Sequence, residues 1–239
     1  MRTPSSLTRL FYALLTALTL APVSGASAIH GTVSPDRRYA LETPLPPMRL
    51  RGGRALVLPA LRFVTIAATN PAYAKVQLWV IQAAGRIEAD WRTALEAKGA
   101  RIIAYLPENA YVIAIDAAGA ASLASLAQKH DGPHARTGGL APLPADARID
   151  ASIAQSIASG AQSIAATAQF PDTPAGRAAG LAWYDRIKEI EGAPLTGAQI
   201  LAGFVTFSFN ALPASLALLR EDPLLFNLEP YVAPARTDE

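Results

Sequence analysis

"KVQLWVIQAAGRIEADWRTALEAKGARIIAYLPENAYVIAID", Lys75 to Asp116, changes its hydrophobic period twice within one stretch. The opening KVQLWVIQ alternates and is rich in β-formers, which predicts a strand. Ile87, Trp91 and Leu95 then recur at i, i+4 and i+8, the apolar stripe of an amphipathic helix whose other side carries charges. Gly99 stands where a C′ glycine ends a helix. RIIAYL reads as a second strand, Pro107-Glu108-Asn109 as the turn, and YVIAI as a third strand with Tyr111, Ile113 and Ile115 on one face. Asp116 is placed to cap a second helix carrying Leu123 and Leu126. A fourth strand has only RTGGLAPL to draw on, which is poor strand material. The order is β-α-β-β-α-β, the split βαβ or ferredoxin-like arrangement.

The same order returns further along. AQSIAATAQF predicts a strand, and Thr173-Pro174 opens a helix with proline at its first position. Ala179, Trp183, Ile187 and Ile190 form the expected stripe of that helix, and Gly192 stops it. AQILAG and FVTFSF make a hairpin, with Val205, Phe207 and Phe209 sharing a face. Asn210 takes the capping place of Asp116, ASLALL echoes ASLASL, and PLLFNLEPY is a convincing last strand. Trp91 to Trp183, Gly99 to Gly192 and Asp116 to Asn210 are offset by 92, 93 and 94 residues. An ordered series with a steady offset predicts a tandem duplication.

The expected class is therefore α+β: tandem ferredoxin-like, propeptide-like units behind a signal peptide. Arg2 and Arg9 precede an apolar run from Leu10 to Val23, and Ser24-Gly25-Ala26-Ser27-Ala28 ends in an A-x-A pattern. That combination describes a secretory signal peptide over residues 1–28, too short in its apolar core to span a bilayer. Residues 29–74 read as a proline-interrupted leader with an accessory strand. Residues 75–145 and 161–232 are the two units, 146–160 a linker in which Ile149, Ile153 and Ile157 line a short helix, and 233–239 a C-terminal tail.

Composition narrows the chemistry. The 21 Lys and Arg residues against 19 Asp and Glu become equal once the two arginines of the signal are removed, so charge suggests no nucleic-acid partner. With no cysteine, disulfides, thiolate metal sites and a cysteine nucleophile are all excluded. The three histidines are His30, at the signal junction, and His130 and His134 in HDGPH, where Gly132 and Pro133 break any helix that would let them share a metal. No G-x-S-x-G elbow is present, and Gly138-Gly139 lacks the Lys-Ser/Thr of a phosphate loop. Glu88, Asp90 and Glu96 read as solvent-facing charges rather than a general-acid pair. No catalytic residue, cofactor or metal ligand is expected, and the chain does not read as an enzyme.

Lys75 to about Phe170 resembles the module that precedes the catalytic domain in many bacterial secreted subtilisin-family peptidases. The resemblance lies in the strand, the Trp-bearing helix, LEAKG, YLPENAYV and the Asp-capped second helix. It implies a fold similar to the subtilisin propeptide. The Asp, His and Ser blocks of the peptidase itself are absent, so peptidase activity is not implied. What is implied is binding of a subtilisin-like serine peptidase, as inhibitor or folding helper, by an exported periplasmic or extracellular protein. The expected recognition elements are the open sheet face and the tail Ala233, Pro234, Ala235, Arg236, Thr237, Asp238 and Glu239, whose proline favours an extended backbone suited to β-augmentation. The alternative is a structural or protein-interaction module of the cell envelope; a small-molecule regulatory domain is a third option, since the fold hosts many functions.

Overall fold

The computed structural model describes residues 47–49, 55–58, 75–128 and 136–233. The signal segment, most of the leader, HDGPH and residues 234–239 lie outside the described residues. Among the described residues, two four-stranded antiparallel sheets, five α-helices and a two-stranded hairpin give an α+β architecture.

The hairpin pairs β1 (Met48–Arg49) with β2 (Ala55–Leu56). The first sheet holds β3 (Gln77–Ala83), β4 (Arg101–Leu106), β5 (Ala110–Ile115) and β6 (Thr137–Pro142), in the order β4-β5-β3-β6. Helices α1 (Ala89–Ala97) and α2 (Ala117–Gln128) connect them. The second sheet holds β7 (Ile164–Pro171), β8 (Gln199–Leu201), β9 (Phe204–Ala211) and β10 (Asn227–Pro230), in the order β10-β7-β9-β8. Its helices are α4 (Pro174–Glu191) and α5 (Pro213–Arg220), and α3 (Ala151–Ala158) precedes it. In each sheet the first and third strands are central and the second and fourth lie at the edges.

The first unit follows its sequence closely. Gly99 is left-handed at φ 83°, and Glu108 and Asn109 form the β4–β5 turn at φ 63° and 58°. Asp116 accepts a hydrogen bond from the Gly119 amide at 2.7 Å, capping α2. Trp91 is fully buried, stacks on Tyr111 with ring centroids 5.8 Å apart, and donates its indole N–H to Thr137 Oγ1 at 3.1 Å. That bond ties α1 to β6. The unpromising TGGLAP stretch is thus a full ladder partner of β3, with an irregularity at Gln82/Ala83 that absorbs its poor fit.

The second unit departs from expectation in three places. Helix α4 presents Gly176, Gly180 and Ile187 to the sheet, with Trp183 and Tyr184 half-buried, whereas Ile190 is 51% exposed. Of the expected Ala179-Trp183-Ile187-Ile190 stripe, Ile187 is buried and Ala179 and Trp183 pack against the core, Ile190 alone falls outside it, and Gly176 and Gly180 complete the buried face. A Cβ at Gly180 would stand 3.1 Å from Val205 Cγ1 and 3.2 Å from Phe170 Cβ. Asn210 is exposed within β9 and caps nothing: α5 begins after Leu212, and the Glu191 carboxylate accepts from the Leu212 amide at 3.3 Å and from the Ser215 hydroxyl. Finally, the expected linker is built into the second core. Asp150 caps α3 by accepting from the Ser152 amide at 2.8 Å, and Ile149 and Ile153 are buried among Phe170, Phe207 and Leu228.

The first sheet is covered on both sides. Trp79, Ile81, Ile113 and Leu140 meet α1 and α2, while Leu78, Val80, Val112 and Ala114 pack beneath Met48 and Leu58 from the leader. Its strand β3 is buried at every position, which explains a strand apolar on both faces.

Candidate functional site

The outward faces of the two sheets were the first candidates, and burial removes them. On the first sheet Leu78, Val80, Val112 and Ala114 are at most 4% exposed. On the second, the side chains turned away from the helices are polar yet equally hidden: Thr167, Thr206, Ser208 and Asn227 are at most 9% exposed. Thr167 and Ser208 hydroxyls meet across the ladder at 2.9 Å, and Asn227 donates to Gln169 Oε1 at 3.3 Å and Glu229 Oε2 at 2.9 Å. Thr167, Ser208 and Asn227 are thus satisfied within the sheet, whereas the buried Thr206 hydroxyl has no hydrogen-bond partner among the described residues. The expectation of an open recognition face is not met on either sheet.

The tail leaves from the edge of the second sheet. The Tyr231 amide donates to the Ala165 carbonyl at 3.0 Å, continuing the ladder beyond β10, and Val232 beyond it is 83% exposed. Ala233 is exposed too, and Pro234, Ala235, Arg236, Thr237, Asp238 and Glu239 lie outside the described residues.

The two sheets meet around Arg148 and Asp222. Arg148 is 6% exposed and donates to the carbonyls of Leu143 at 2.5 Å and Asp222 at 2.6 Å. Burial pushes its guanidinium below the ordinary arginine range, with the Asp222 and Glu221 carboxylates opposing that shift. The Asp222 carboxylate accepts from the Trp183 indole at 2.7 Å and the Leu224 amide at 2.8 Å. Next to it, the Leu78 amide of the first sheet donates to the Pro223 carbonyl at 3.0 Å. An open cleft of about 600 Å³ lies beside this junction, lined by Lys75, Val76, Asp116, Ala175, Ala179 and Leu224 among others. Its lining combines the charged side chains of Lys75, Asp116 and Asp222 with small and apolar ones from Val76, Ala175, Ala179 and Leu224.

The carboxylates of α1 are engaged in solvent. Arg136 bridges Glu88 and Asp90, the latter at 3.3 Å, and Arg92 pairs with Glu96 at 3.2 Å. Among the described residues no group of three or more His, Cys, Asp or Glu could hold a metal ion, and no helix is long and apolar enough to cross a membrane.

One feature escaped sequence reasoning: the β8 edge. Gln199, Ile200 and Leu201 are all exposed, and no charged residue occurs from Gly192 to Phe204. The signal was the long chargeless run itself.

A family model described as "Domain of unknown function (DUF8729)" matches residues 45–136, less than half of the chain. The match takes in the hairpin, β3 to β5, α1 and α2, and stops at the threshold of β6. Neither the curated proteins nor the solved structures returned a match.

Proposed function

We propose that this chain is a non-catalytic, exported protein-binding protein made of two ferredoxin-like units similar to subtilisin-type propeptides, and that it binds a subtilisin-like serine peptidase through the segment following β10. The common strand order of the two sheets supports the repeated unit. The observation that carries the binding mode is the exit of the chain at Tyr231: the backbone is still in extended ladder geometry, and Val232 and Ala233 stand clear of the sheet. An extended segment held at its base loses less ordering entropy on entering a cleft than a free peptide does. The burial of Leu78, Val80 and Val112 on the first sheet and of Thr167, Thr206 and Ser208 on the second favours the tail and the strand edges over the sheet faces.

The test is inhibition of a panel of subtilisin-like peptidases by residues 29–239 and by the same chain lacking Ala233 to Glu239. Inhibition by the first and not the second, with matching thermal transitions, is the expected result. If neither slows any enzyme, host peptidases included, the reading fails. The runner-up, a structural or interaction module of the cell envelope without a peptidase partner, draws on the burial of Leu78, Val80 and Val112 beneath Met48 and Leu58. A face already filled by the chain's own leader needs no second protein.

A further inference from the structure

The four sheet edges are not equally protected. At β4 a register shift lies between Ile102 and Ala104, and Arg101 opens the strand. At β10, Ile149 bridges Leu228 in parallel and the Asp150 amide donates to the Leu228 carbonyl at 2.8 Å, which closes that edge. At β6 the strand starts beside the Arg136–Glu88–Asp90 ion cluster. Bulges, covering segments and charges are the usual devices against edge-to-edge pairing. The β8 edge has none of them except brevity.

The register of β8 fixes which backbone groups are free. Leu201 and Phe204 flank the two-residue turn Ala202-Gly203, whose φ angles are 49° and 82°. Residues flanking such a turn exchange hydrogen bonds, and alternation makes Ile200 and Val205 the pair that does not. The N–H and C=O of Ile200 therefore point away from β9, into solvent. Around them the surface is apolar: Leu195, Ile200 and Leu201 are 40%, 52% and 49% exposed.

We propose that two copies of this chain join through β8, antiparallel about a two-fold axis at Ile200, so that the sheets continue as β10-β7-β9-β8-β8-β9-β7-β10. At the centre, Ile200 of each copy donates its N–H to the Ile200 carbonyl of the other, an isologous contact in which the same residues meet themselves. A second copy suits this edge in charge. The strand and its flanks carry none, so like meets like without repulsion, and the net charge, +2 for the full chain and zero without Arg2 and Arg9, leaves two copies nearly neutral toward each other. A charged peptide finds no counter-charge here. Three residues per strand make a small contact, so the association is weak and concentration-dependent. This inference is independent of the peptidase reading.

The test is sedimentation of the full mature chain from about 10 µM to about 1 mM, a range that brackets weak association. Ile200→Pro removes the outward N–H without touching a β8–β9 hydrogen bond, and Ile200→Lys puts a charge on the edge. Leu181→Lys, at an exposed position on α4, is the control. Reversible dimerisation, weakened at least about tenfold by both Ile200 variants and unchanged by Leu181→Lys, is expected. A wild-type chain that stays monomeric throughout, including one whose β8 edge captures only a heterologous extended peptide, overturns the proposal. So does an Ile200→Lys variant, with a wild-type circular dichroism spectrum, that dimerises as tightly as wild type.

Discussion

Trp183 donates its indole N–H to the Asp222 carboxylate at 2.7 Å, so the tryptophan of α4 ends in a polar contact at the inter-sheet junction. Trp91 of α1, its counterpart by sequence offset, ends against the Thr137 hydroxyl inside the first core. The two residues do different work. Trp91 is fully buried, Trp183 half-buried, and in the second unit Tyr184 makes the edge-on contact with Phe207 at 5.6 Å.

Trp91→Ala should accordingly cost about 3–5 kcal/mol of unfolding free energy, as large core aromatics do. Trp183→Ala should cost less, about 1–3 kcal/mol, most of it the stranded Asp222 partner and lost edge packing. Urea titration of both variants checks the order. A Trp183→Ala loss equal to that of Trp91→Ala would mean that the face of α4 has been misassigned.

Arg148 holds the junction through carbonyls rather than carboxylates. Arg148→Met should destabilise by about 2–4 kcal/mol, because the Leu143 and Asp222 carbonyls lose a charged donor. Arg148→Lys should fall between, having a charge but no planar fork. Equilibrium unfolding monitored by tryptophan fluorescence reads both. A neutral Arg148→Met variant would show that water takes over the carbonyls.

Two glycines of α4 differ in what surrounds them. A Cβ at Gly176 would lie 2.2 Å from the Pro171 carbonyl oxygen, which belongs to rigid backbone. Gly176→Ala should destabilise by about 1–3 kcal/mol, in the range of other overpacking changes. At Gly180 the neighbours are side chains at 3.1 Å or more, and a gain of about 1 kcal/mol in helix propensity offsets the squeeze. Thermal denaturation should place Gly180→Ala near wild type and Gly176→Ala well below it.

Asp116 and Asn210 give the sharpest contrast between sequence and structure. Asp116→Ala removes a real cap and should cost about 1 kcal/mol. Asn210→Ala should be neutral within about 0.5 kcal/mol, being an exposed strand position without a capping role. Paired denaturation curves decide it, and a larger loss at Asn210 would restore the capping role it was first assigned.

What was legible came from local signals. The alternation of β3, the αL-tolerant turn at Glu108-Asn109, Gly99 and Asp116 each act within a few residues, so they can be read without knowing the fold. Glycine defeats the same procedure at Gly176 and Gly180: a stripe search counts apolar side chains, and here the face that packs is made partly of absent ones. TGGLAP looked weak because its strength comes from β3, whose paired residues lie about sixty positions away along the chain and adjacent in space. The buried sheet faces were equally invisible, since they depend on which distant segments come to rest on them. Of the candidate site, sequence reasoning reached the tail and passed over Arg148, which in PADAR reads as an ordinary surface arginine.

Among the described residues the strands of Met48 and Ala55 pair only with each other, and side chains such as those of Met48 and Leu58 pack against the first sheet. The matched stretch starts ahead of both strands, at residue 45. Inheritance and packing therefore draw the same boundary: the cover travels with the strands it covers. A gene fragment begun at Lys75, where the periodicity is clearest, would yield a sheet with Leu78, Val80 and Val112 bared to water, a sticky plate rather than a domain.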